Sequence, residues 1–170
     1  MKNNTVIILG SSRSDGNTRK IVDTLVSLKT DIDILDLNNY NIGYYDYSFD
    51  NKNDDFFEFY KKVITYDTII FATPVYWYSM SAQLKTFFDR ISDVLHGDKK
   101  DFGRKLRGKN MAVISCSSDA TRIKKFTRPF KEISKYLGLN YKGYLHAWVE
   151  GDNTIHKDLQ KEIKLFIEKL

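Results

Sequence analysis

The chain has 170 residues, is 42% hydrophobic and carries a formal net charge of +5 at pH 7. This length and composition predict one domain, residues 1–170, with a full buried core. A single cysteine, Cys116, excludes a disulfide framework and any multi-cysteine metal or cluster site. No apolar run approaches the roughly 18 residues that cross a membrane, and no leader-like segment follows Met1. We therefore expect a soluble, cytoplasmic protein with no membrane partner.

The basic residues are spread along the chain, with one denser segment at Arg104–Lys109. Nucleic-acid binding is typically accompanied by basic residues gathered on a recognised fold or groove, so no nucleic-acid partner is expected. The simpler interpretation of Arg104–Lys109 is a solvated connection before a strand. The alternative is that it attracts the phosphates of a dinucleotide.

The first element is an apolar run, Thr5–Leu9, which predicts a fully buried parallel strand. A loop follows from Gly10, and a helical pattern starts near Asn17. A strand, a short loop and a helix start form a phosphate site, because the loop and first-turn N–H groups and the helix dipole all favour an anion. Side-chain donors available to such an anion are Ser11, Ser12, Arg13, Ser14, Asn17 and Thr18.

This loop is neither of the two common nucleotide loops. Five residues separate Gly10 from Gly16, and Asn17 stands where a Walker A motif has lysine. Ser12 occupies the second glycine position of the dinucleotide pattern. The loop therefore predicts a mononucleotide that is held rather than hydrolysed. The alternative is an ordinary strand–helix turn with a Ser or Asn cap.

Further apolar runs predict strands at about Asp33–Leu37, Thr68–Ala72, Ala112–Cys116 and Tyr141–Ala147. Apolar residues recur at helical spacing between the strands and after the last one. The fourth helix should end at Gly138, and the fifth should start near Asn153–Thr154. The five sets are Ile21, Leu25 and Leu28; Phe56, Phe59, Tyr60 and Val63; Leu84, Phe87, Phe88 and Ile91; Ile123, Phe126, Phe130, Ile133 and Leu137; and Leu159, Ile163, Phe166, Ile167 and Leu170.

Alternating strands and helices with right-handed crossovers predict an α/β three-layer sandwich. Five strands with a phosphate loop after the first fit the flavodoxin-like parallel order 2-1-3-4-5. In that order the ligand lies at the switch point between strands 1 and 3. The loops after strands 3 and 4 should therefore be binding loops.

The loop after strand 3 contains three adjacent aromatic residues, Tyr76, Trp77 and Tyr78. They cannot all face a core, so some are exposed or stacked on a flat ligand. Pro74 fixes the backbone where the chain leaves the sheet, and Ser79 or Ser81 can cap the next helix. An aromatic shelf beside a phosphate loop suits a flavin ring. A partner-binding or dimer patch is the alternative, and the two interpretations are compatible.

The loop after strand 4, Ser115–Asp119, is small and polar, so its backbone groups can hydrogen-bond the polar edge of a ring. We expect Cys116 to be a small buried residue at the strand end rather than a nucleophile.

Three segments together, Gly10–Thr18, Asp36–Leu37 and Thr73–Arg90, resemble the flavodoxin-like NAD(P)H-dependent FMN reductases. The resemblance covers most of residues 4–150. It implies FMN, with its phosphate on Ser11, Arg13, Gly16, Asn17 and Thr18. It also implies that the flavin ring lies against Pro74, Val75, Tyr76 and Trp77, with its polar edge near Cys116, Ser117 and Ser118.

The related iron–sulfur flavoproteins carry a cysteine cluster between strand 2 and helix 2. Here Ile42–Ser48 contains tyrosines and no cysteine, which excludes that branch because such a cluster needs about four thiolates.

The remaining polar residues are expected to have no chemical role. His96, His146 and His156 are not spaced as a metal set, so no metal is expected, and each should lie at the surface or at an element end. Asp54 and Asp55 should begin the second helix. Lys85, Asp89 and Arg90 should pair locally or across a dimer.

The sequence thus predicts an FMN-dependent NAD(P)H oxidoreductase that reduces a quinone, flavin, nitro compound or similar small acceptor. The flavin carries the chemistry, so no protein side chain is assigned a catalytic role. A flavodoxin-type electron carrier is the alternative, although its usual acidic docking surface disagrees with a pI near 9.1. A small interaction domain that has lost FMN is a third possibility, disfavoured by the intact phosphate loop. A homodimer is expected from Tyr76–Tyr78 together with Tyr44, Tyr45 and Tyr47.

Overall fold

The fold is a five-stranded parallel sheet with helices on both faces, as seen in a computed structural model that describes residues 4–48, 50–121, 125–149 and 155–170. The strand order is β2-β1-β3-β4-β5, which confirms the predicted flavodoxin-like topology. The strands are β1 (Thr5–Leu9), β2 (Ile32–Asp36), β3 (Thr68–Pro74), β4 (Asn110–Ser117) and β5 (Asn140–Trp148).

The predicted strand boundaries are correct for β1 and need small corrections elsewhere. Strand β2 lies one residue earlier than predicted, since Leu37 already belongs to a 3₁₀ turn that Asp36 caps by accepting the N–H of Asn38. Strands β3, β4 and β5 extend beyond the predicted bounds because the residues just outside those bounds also pair with neighbouring strands.

The helices are α1 (Asn17–Leu28), α2 (Phe56–Val63), α3 (Ala82–Arg90), a short α4 (Lys100–Gly103), α5 (Arg128–Leu137) and α6 (Leu159–Ile167). The sequence patterns predicted all of them except α4, whose four residues are too few to show a helical period. Ile123 and the predicted helix start at Asn153–Thr154 lie outside the described residues. Gly138 ends α5 in the left-handed conformation, φ 73°, as predicted.

Two separate hydrophobic layers explain why the strands are apolar throughout. Alternate residues of β1 point to opposite faces, so Val6 and Ile8 join one layer while Ile7 and Leu9 join the other. Helices α2, α3 and α5 cover the first layer, which is rich in phenylalanine, and α1 and α6 cover the second, which is mainly aliphatic. Within the part of the chain that the structure describes, no helix has the length and apolar character needed to cross a bilayer.

The basic segment Arg104–Lys109 forms an exposed turn that leads into β4, except for the buried Leu106. It therefore lies at the amino end of a strand, whereas the predicted ligand loops follow the carboxyl ends. This position agrees with a solvated connection and disfavours the alternative that the segment attracts the phosphates of a dinucleotide.

Lys85, Asp89 and Arg90 all pair locally, as expected, but Arg90 does so in the interior. Lys85 and Asp89 do pair locally and are exposed, with Lys85 Nζ 2.6 Å from Asp89 Oδ1. Arg90 is instead 1% exposed and contacts Asp54, while its Nε lies 2.6 Å from Asp93 Oδ2. Its guanidinium also donates to the Gly43 carbonyl at 2.9 Å, so it anchors the segment between β2 and α2 onto α3. Asp55 is the N-cap residue of α2 as expected, and Asp54 accepts the Phe56 N–H.

Gly10 allows the loop after β1 to approach α3 closely. A Cβ at Gly10 would lie 2.7 Å from Leu84 Cβ, which is too close without movement of the backbone. We expect Gly10→Ala to lower the free energy of unfolding by about 1 kcal/mol or more through overpacking. Denaturant titration measures this change.

Gly16→Ala is the matched control, because a Cβ at Gly16 meets only ordinary contacts with the Arg13 side chain, at 3.4 Å. Equal loss of stability in the two variants would contradict the proposed close approach of Gly10 to Leu84.

Candidate functional site

The loop between β1 and α1 is fixed at its start by both neighbouring elements. Gly10 N–H donates to the Ala72 carbonyl at 2.8 Å, and Ser81 Oγ donates to the Gly10 carbonyl at 2.7 Å. Ser81 also caps α3, as one of the two serines predicted for that role, by accepting the Leu84 N–H at 3.2 Å. One buried hydroxyl therefore ties the loop to the helix start beside it.

Asn38 supports the same loop and was missed in the sequence. Its Nδ2 donates to the Ser11 carbonyl at 2.6 Å and lies 3.3 Å from Ser14 Oγ. The available signal was its place just after Asp36–Leu37, at the carboxyl end of a strand next to β1 in the sheet.

The start of α1 has the properties of an anion site. The N-cap residue is Gly16, which has no side chain to accept the first-turn N–H groups, so the alternative of a Ser or Asn cap is wrong. No acidic residue lies in the first turn. A Cβ built on Gly16 would be 3.4 Å from Arg13 Nε, so the guanidinium lies directly beside this helix end.

Arg13 is exposed and lies where an anion would bind favourably. The amino end of a helix carries about +0.5 charge, and a neighbouring cation is repelled by it. Among the described residues Arg13 has no carboxylate within ion-pair distance. A phosphate between the guanidinium and the helix end offsets this repulsion and accepts the free N–H groups. These residues therefore fit a phosphate.

The loop after β3 forms one wall of the site and contains a tight turn. Val75 N–H donates to the Cys116 carbonyl at 2.8 Å, which joins this loop to the end of β4. Tyr76 and Ser79 exchange two backbone hydrogen bonds, at 3.0 and 2.9 Å. The two residues between them have positive φ, 47° at Trp77 and 64° at Tyr78, a conformation costly for residues other than glycine.

This turn sets the direction of the Trp77 side chain. The tight reversal directs Trp77 into solvent, where it is 94% exposed, while Tyr76 is directed back toward the phosphate loop. The Tyr76 hydroxyl lies 3.0 Å from Ser12 Oγ, which links the two loops across the site. Trp77 thus stands outside the cavity that contains the other predicted residues.

Cys116 is buried at the end of β4, as predicted. Burial raises the pKa of its thiol to about 11, although a hydrogen bond with the Thr18 side chain acts in the opposite direction. A thiol with this pKa is protonated at neutral pH, and the thiolate is the reactive form. Cys116 therefore contributes shape and a link to α1 rather than a nucleophile.

All the predicted site residues except Trp77 line one cavity of about 270 Å³ at the carboxyl ends of the strands. Val75, Ser117 and Ser118 also line an adjoining cavity of about 430 Å³, whose outer wall is Trp77 and Tyr78. The lining residues of the first cavity are Ser11, Arg13, Gly16, Asn17, Thr18, Pro74, Val75, Tyr76, Cys116, Ser117 and Ser118.

Two histidines were wrongly expected at the surface or at element ends. His146 is 2% exposed and lies within β5 beside the loop after β4, with Nδ1 2.8 Å from Ser115 Oγ. His156 is 4% exposed and stacks on Trp148, with ring centroids 3.6 Å apart. His96 is exposed, as expected. The period-two sequence Tyr144, His146, Trp148 in a predicted strand was the signal that these side chains share one face.

Comparison with known proteins shows which family the chain is similar to. The family model described as NADPH-dependent FMN reductase matches residues 3–140. YwqN of Bacillus subtilis (strain 168), provisionally named as an NAD(P)H-dependent FMN-containing oxidoreductase, is 30% identical over 148 residues, which cover 82% of this chain and 81% of YwqN.

Solved structures agree on the fold. The Trp repressor binding protein from Bacillus subtilis is 25% identical, with a TM-score of 0.70 over 97% of this chain and 94% of that one. General stress protein 14 from Treponema denticola, solved in complex with FMN, is 18% identical, with a TM-score of 0.65 over 97% of this chain and 96% of that one.

Proposed function

Because the chain belongs to the NADPH-dependent FMN reductase family, we propose that residues 1–170 act as one domain that binds FMN at the carboxyl ends of β1, β3 and β4. The enzyme is an NAD(P)H-dependent FMN-containing oxidoreductase, and its acceptor is a small molecule such as a quinone, a free flavin or a nitro compound. The observation that carries the FMN site is the cation beside an uncapped helix start, in the same cavity as the two other loops.

Each part of the cavity has a distinct role in binding. Arg13, Asn17, Thr18 and the first-turn N–H groups hold the phosphate, with Ser11 and Gly16 shaping the loop around it. Pro74, Val75 and Tyr76 form the apolar wall for the ring. Cys116, Ser117 and Ser118 face its polar edge. When bound, FMN supplies the redox chemistry, taking a hydride from NAD(P)H and passing electrons to the acceptor.

The adjoining cavity of about 430 Å³ suits the two small molecules that visit the site in turn. Trp77 and Tyr78 offer flat apolar surfaces, and Ser118 and Asp119 offer polar groups at the opposite side. A nicotinamide ring and a planar acceptor share these properties. One shared position predicts ping-pong kinetics, with parallel initial-rate lines when both substrates are varied.

Ligand identification tests the cofactor assignment. We expect FMN to bind in the micromolar range or tighter and FAD to bind poorly, because the helix start suits one terminal phosphate. Titration of the purified protein with FMN and, as the matched control, with FAD measures the preference. Equal affinity for the two flavins would contradict the assignment of the loop to a terminal phosphate.

The electron-carrier alternative differs in one property. A carrier binds FMN but does not accept hydride from NAD(P)H itself. The pI near 9.1 disfavours the acidic docking surface usual among such carriers. Bleaching of the bound flavin by NADH or NADPH distinguishes the enzyme from the carrier.

We also propose a homodimer whose interface lies near the cavities. Trp77 and Tyr78, which line the adjoining cavity, are 94% and 74% exposed. Tyr44 and Tyr47, in the segment between β2 and α2, are 78% and 88% exposed. A second copy would cover this surface and narrow the space for the nicotinamide and the acceptor. Tyr45 is less exposed, since it packs edge-on against Tyr47.

Sedimentation of the FMN-bound protein tests the dimer. We expect a species of about twice the chain mass at tens of micromolar protein. A single species near the chain mass of 19.9 kDa under these conditions would rule it out.

A further inference from the structure

A chain of hydrogen-bonding groups runs beneath the polar edge of the first cavity. Ser115 Oγ lies 2.6 Å from the Tyr144 hydroxyl and 2.8 Å from His146 Nδ1. On the other side of the imidazole, Nε2 lies 3.3 Å from Ser117 Oγ and 3.3 Å from the Asp119 carbonyl oxygen. The chain therefore connects the interior of the sheet to Ser117, which lines both cavities.

Which of these groups can donate and which can only accept determines which atoms carry hydrogens. A carbonyl oxygen only accepts, so the contact with Asp119 requires a hydrogen on His146 Nε2. Ser117 Oγ donates its own hydrogen to the same carbonyl at 2.6 Å, and can then accept from Nε2. With the imidazole neutral, Nδ1 accepts from Ser115, and Ser115 in turn accepts from Tyr144. One arrangement satisfies these contacts, and the Tyr144 hydroxyl, which also lies 3.3 Å from His146 Nδ1, can share its hydrogen between Ser115 and that nitrogen.

We propose that His146 is a positioning residue for the flavin ring, because it fixes the orientation of Ser117 and the turn to Asp119 at the polar edge of the cavity. This inference rests on the proposed function. Ser117 is only partly buried and Asp119 is exposed, so the buried imidazole is the rigid element that restrains them. His146 acts through Ser117 and the Asp119 carbonyl, which its Nε2 contacts.

Two substitutions of His146 test the roles of its two ring nitrogens separately. In His146→Gln the side-chain amide reaches the place of Nε2 and keeps a donor for Ser117. In His146→Asn it reaches only the place of Nδ1, so the contact with Ser117 is lost. We expect His146→Asn to weaken the binding of FMN about tenfold, the usual effect of one hydrogen bond, and His146→Gln to stay within about threefold of the wild type.

The loss of FMN affinity in His146→Asn should come from contacts with the flavin ring rather than with the phosphate. Riboflavin, which lacks the phosphate, should therefore be weakened by the same factor as FMN in His146→Asn. The double variant of His146→Asn with Ser117→Ala should bind FMN no more weakly than the weaker single variant, because both changes remove one interaction.

His156→Asn is the matched control, since it makes the same change at another buried histidine, one that stacks on Trp148 and does not line either cavity. It should lower thermal stability without weakening FMN binding. Additive losses in the double variant, or equal losses in the Gln and Asn variants, would overturn the positioning role. Failure of the wild type to bind FMN would instead overturn the proposed function.

Discussion

Replacing Arg13 with alanine should weaken the binding of FMN roughly tenfold to a hundredfold, which corresponds to about 1.5–3 kcal/mol for a charge-assisted contact. The physical reason is the position of the guanidinium beside the uncapped start of α1, where the proposed FMN phosphate would contact both. Riboflavin should be far less sensitive, because it lacks the phosphate. Fluorescence titration with the two ligands measures both affinities.

Arg19→Ala is the matched control for Arg13→Ala. It removes the same charge close by, from the first turns of α1, but Arg19 pairs with Asp23, with Nε 2.7 Å from Oδ1, and does not line the cavity. FMN affinity should change little in this variant. Equal losses for FMN and riboflavin in Arg13→Ala would show that Arg13 acts through the fold rather than on the phosphate.

Replacing Arg90 with methionine should lower the free energy of unfolding by about 3–5 kcal/mol at pH 7, because Asp54 and Asp93 then remain as buried, unpaired carboxylates. Lys85→Met in the same helix is the control, since the Lys85–Asp89 pair is exposed and such pairs contribute at most about 1 kcal/mol. Denaturant titration of both variants gives the two values. Similar small losses in both variants would contradict the burial of the Arg90 cluster, which consists of Arg90, Asp54 and Asp93.

The Arg90 cluster also predicts a pH dependence. Burial alone would raise the pKa of Asp54, but hydrogen bonds from Arg90 and from the Phe56 and Gly43 N–H groups outweigh it and lower that pKa below 3.8. A lowered folded-state pKa stabilises the protein above the unfolded-state pKa, and this contribution is lost as the pH falls through the folded-state pKa. The stability difference between the wild type and Arg90→Met should therefore shrink as the pH falls below about 4.

The sequence was sufficient for the fold and for bringing together the residues of the candidate cavity, because both depend on local patterns. Buried strands and amphipathic helices follow from hydrophobic periodicity, and the topological rule for parallel sheets then brings three separate loops together. Every predicted site residue whose direction follows from a strand end or a helix start lies in the cavity, from Ser11 and Thr18 to Ser118.

The features that the sequence did not show have a common physical cause, which is that tertiary contacts decide where polar and aromatic side chains point. Arg90 follows the exposed Asp89 in an amphipathic helix, and its local sequence does not show that it is buried. Its partner Asp54 lies 36 positions earlier in the chain. His146 is buried because Ser115 of the neighbouring strand is in register with it. Trp77 is directed outward by a turn with positive φ that its residue types do not favour.

The most direct test of the central claim is an anaerobic titration followed by reduction. FMN added to the purified protein should bind in the micromolar range or tighter, and the absorbance near 450 nm (about the maximum of oxidised flavin) should then bleach on addition of NADH or NADPH. No FMN binding in the micromolar range would contradict the site. Tight FMN binding without bleaching by either nucleotide would agree with the proposed FMN site but contradict the assigned reductase activity.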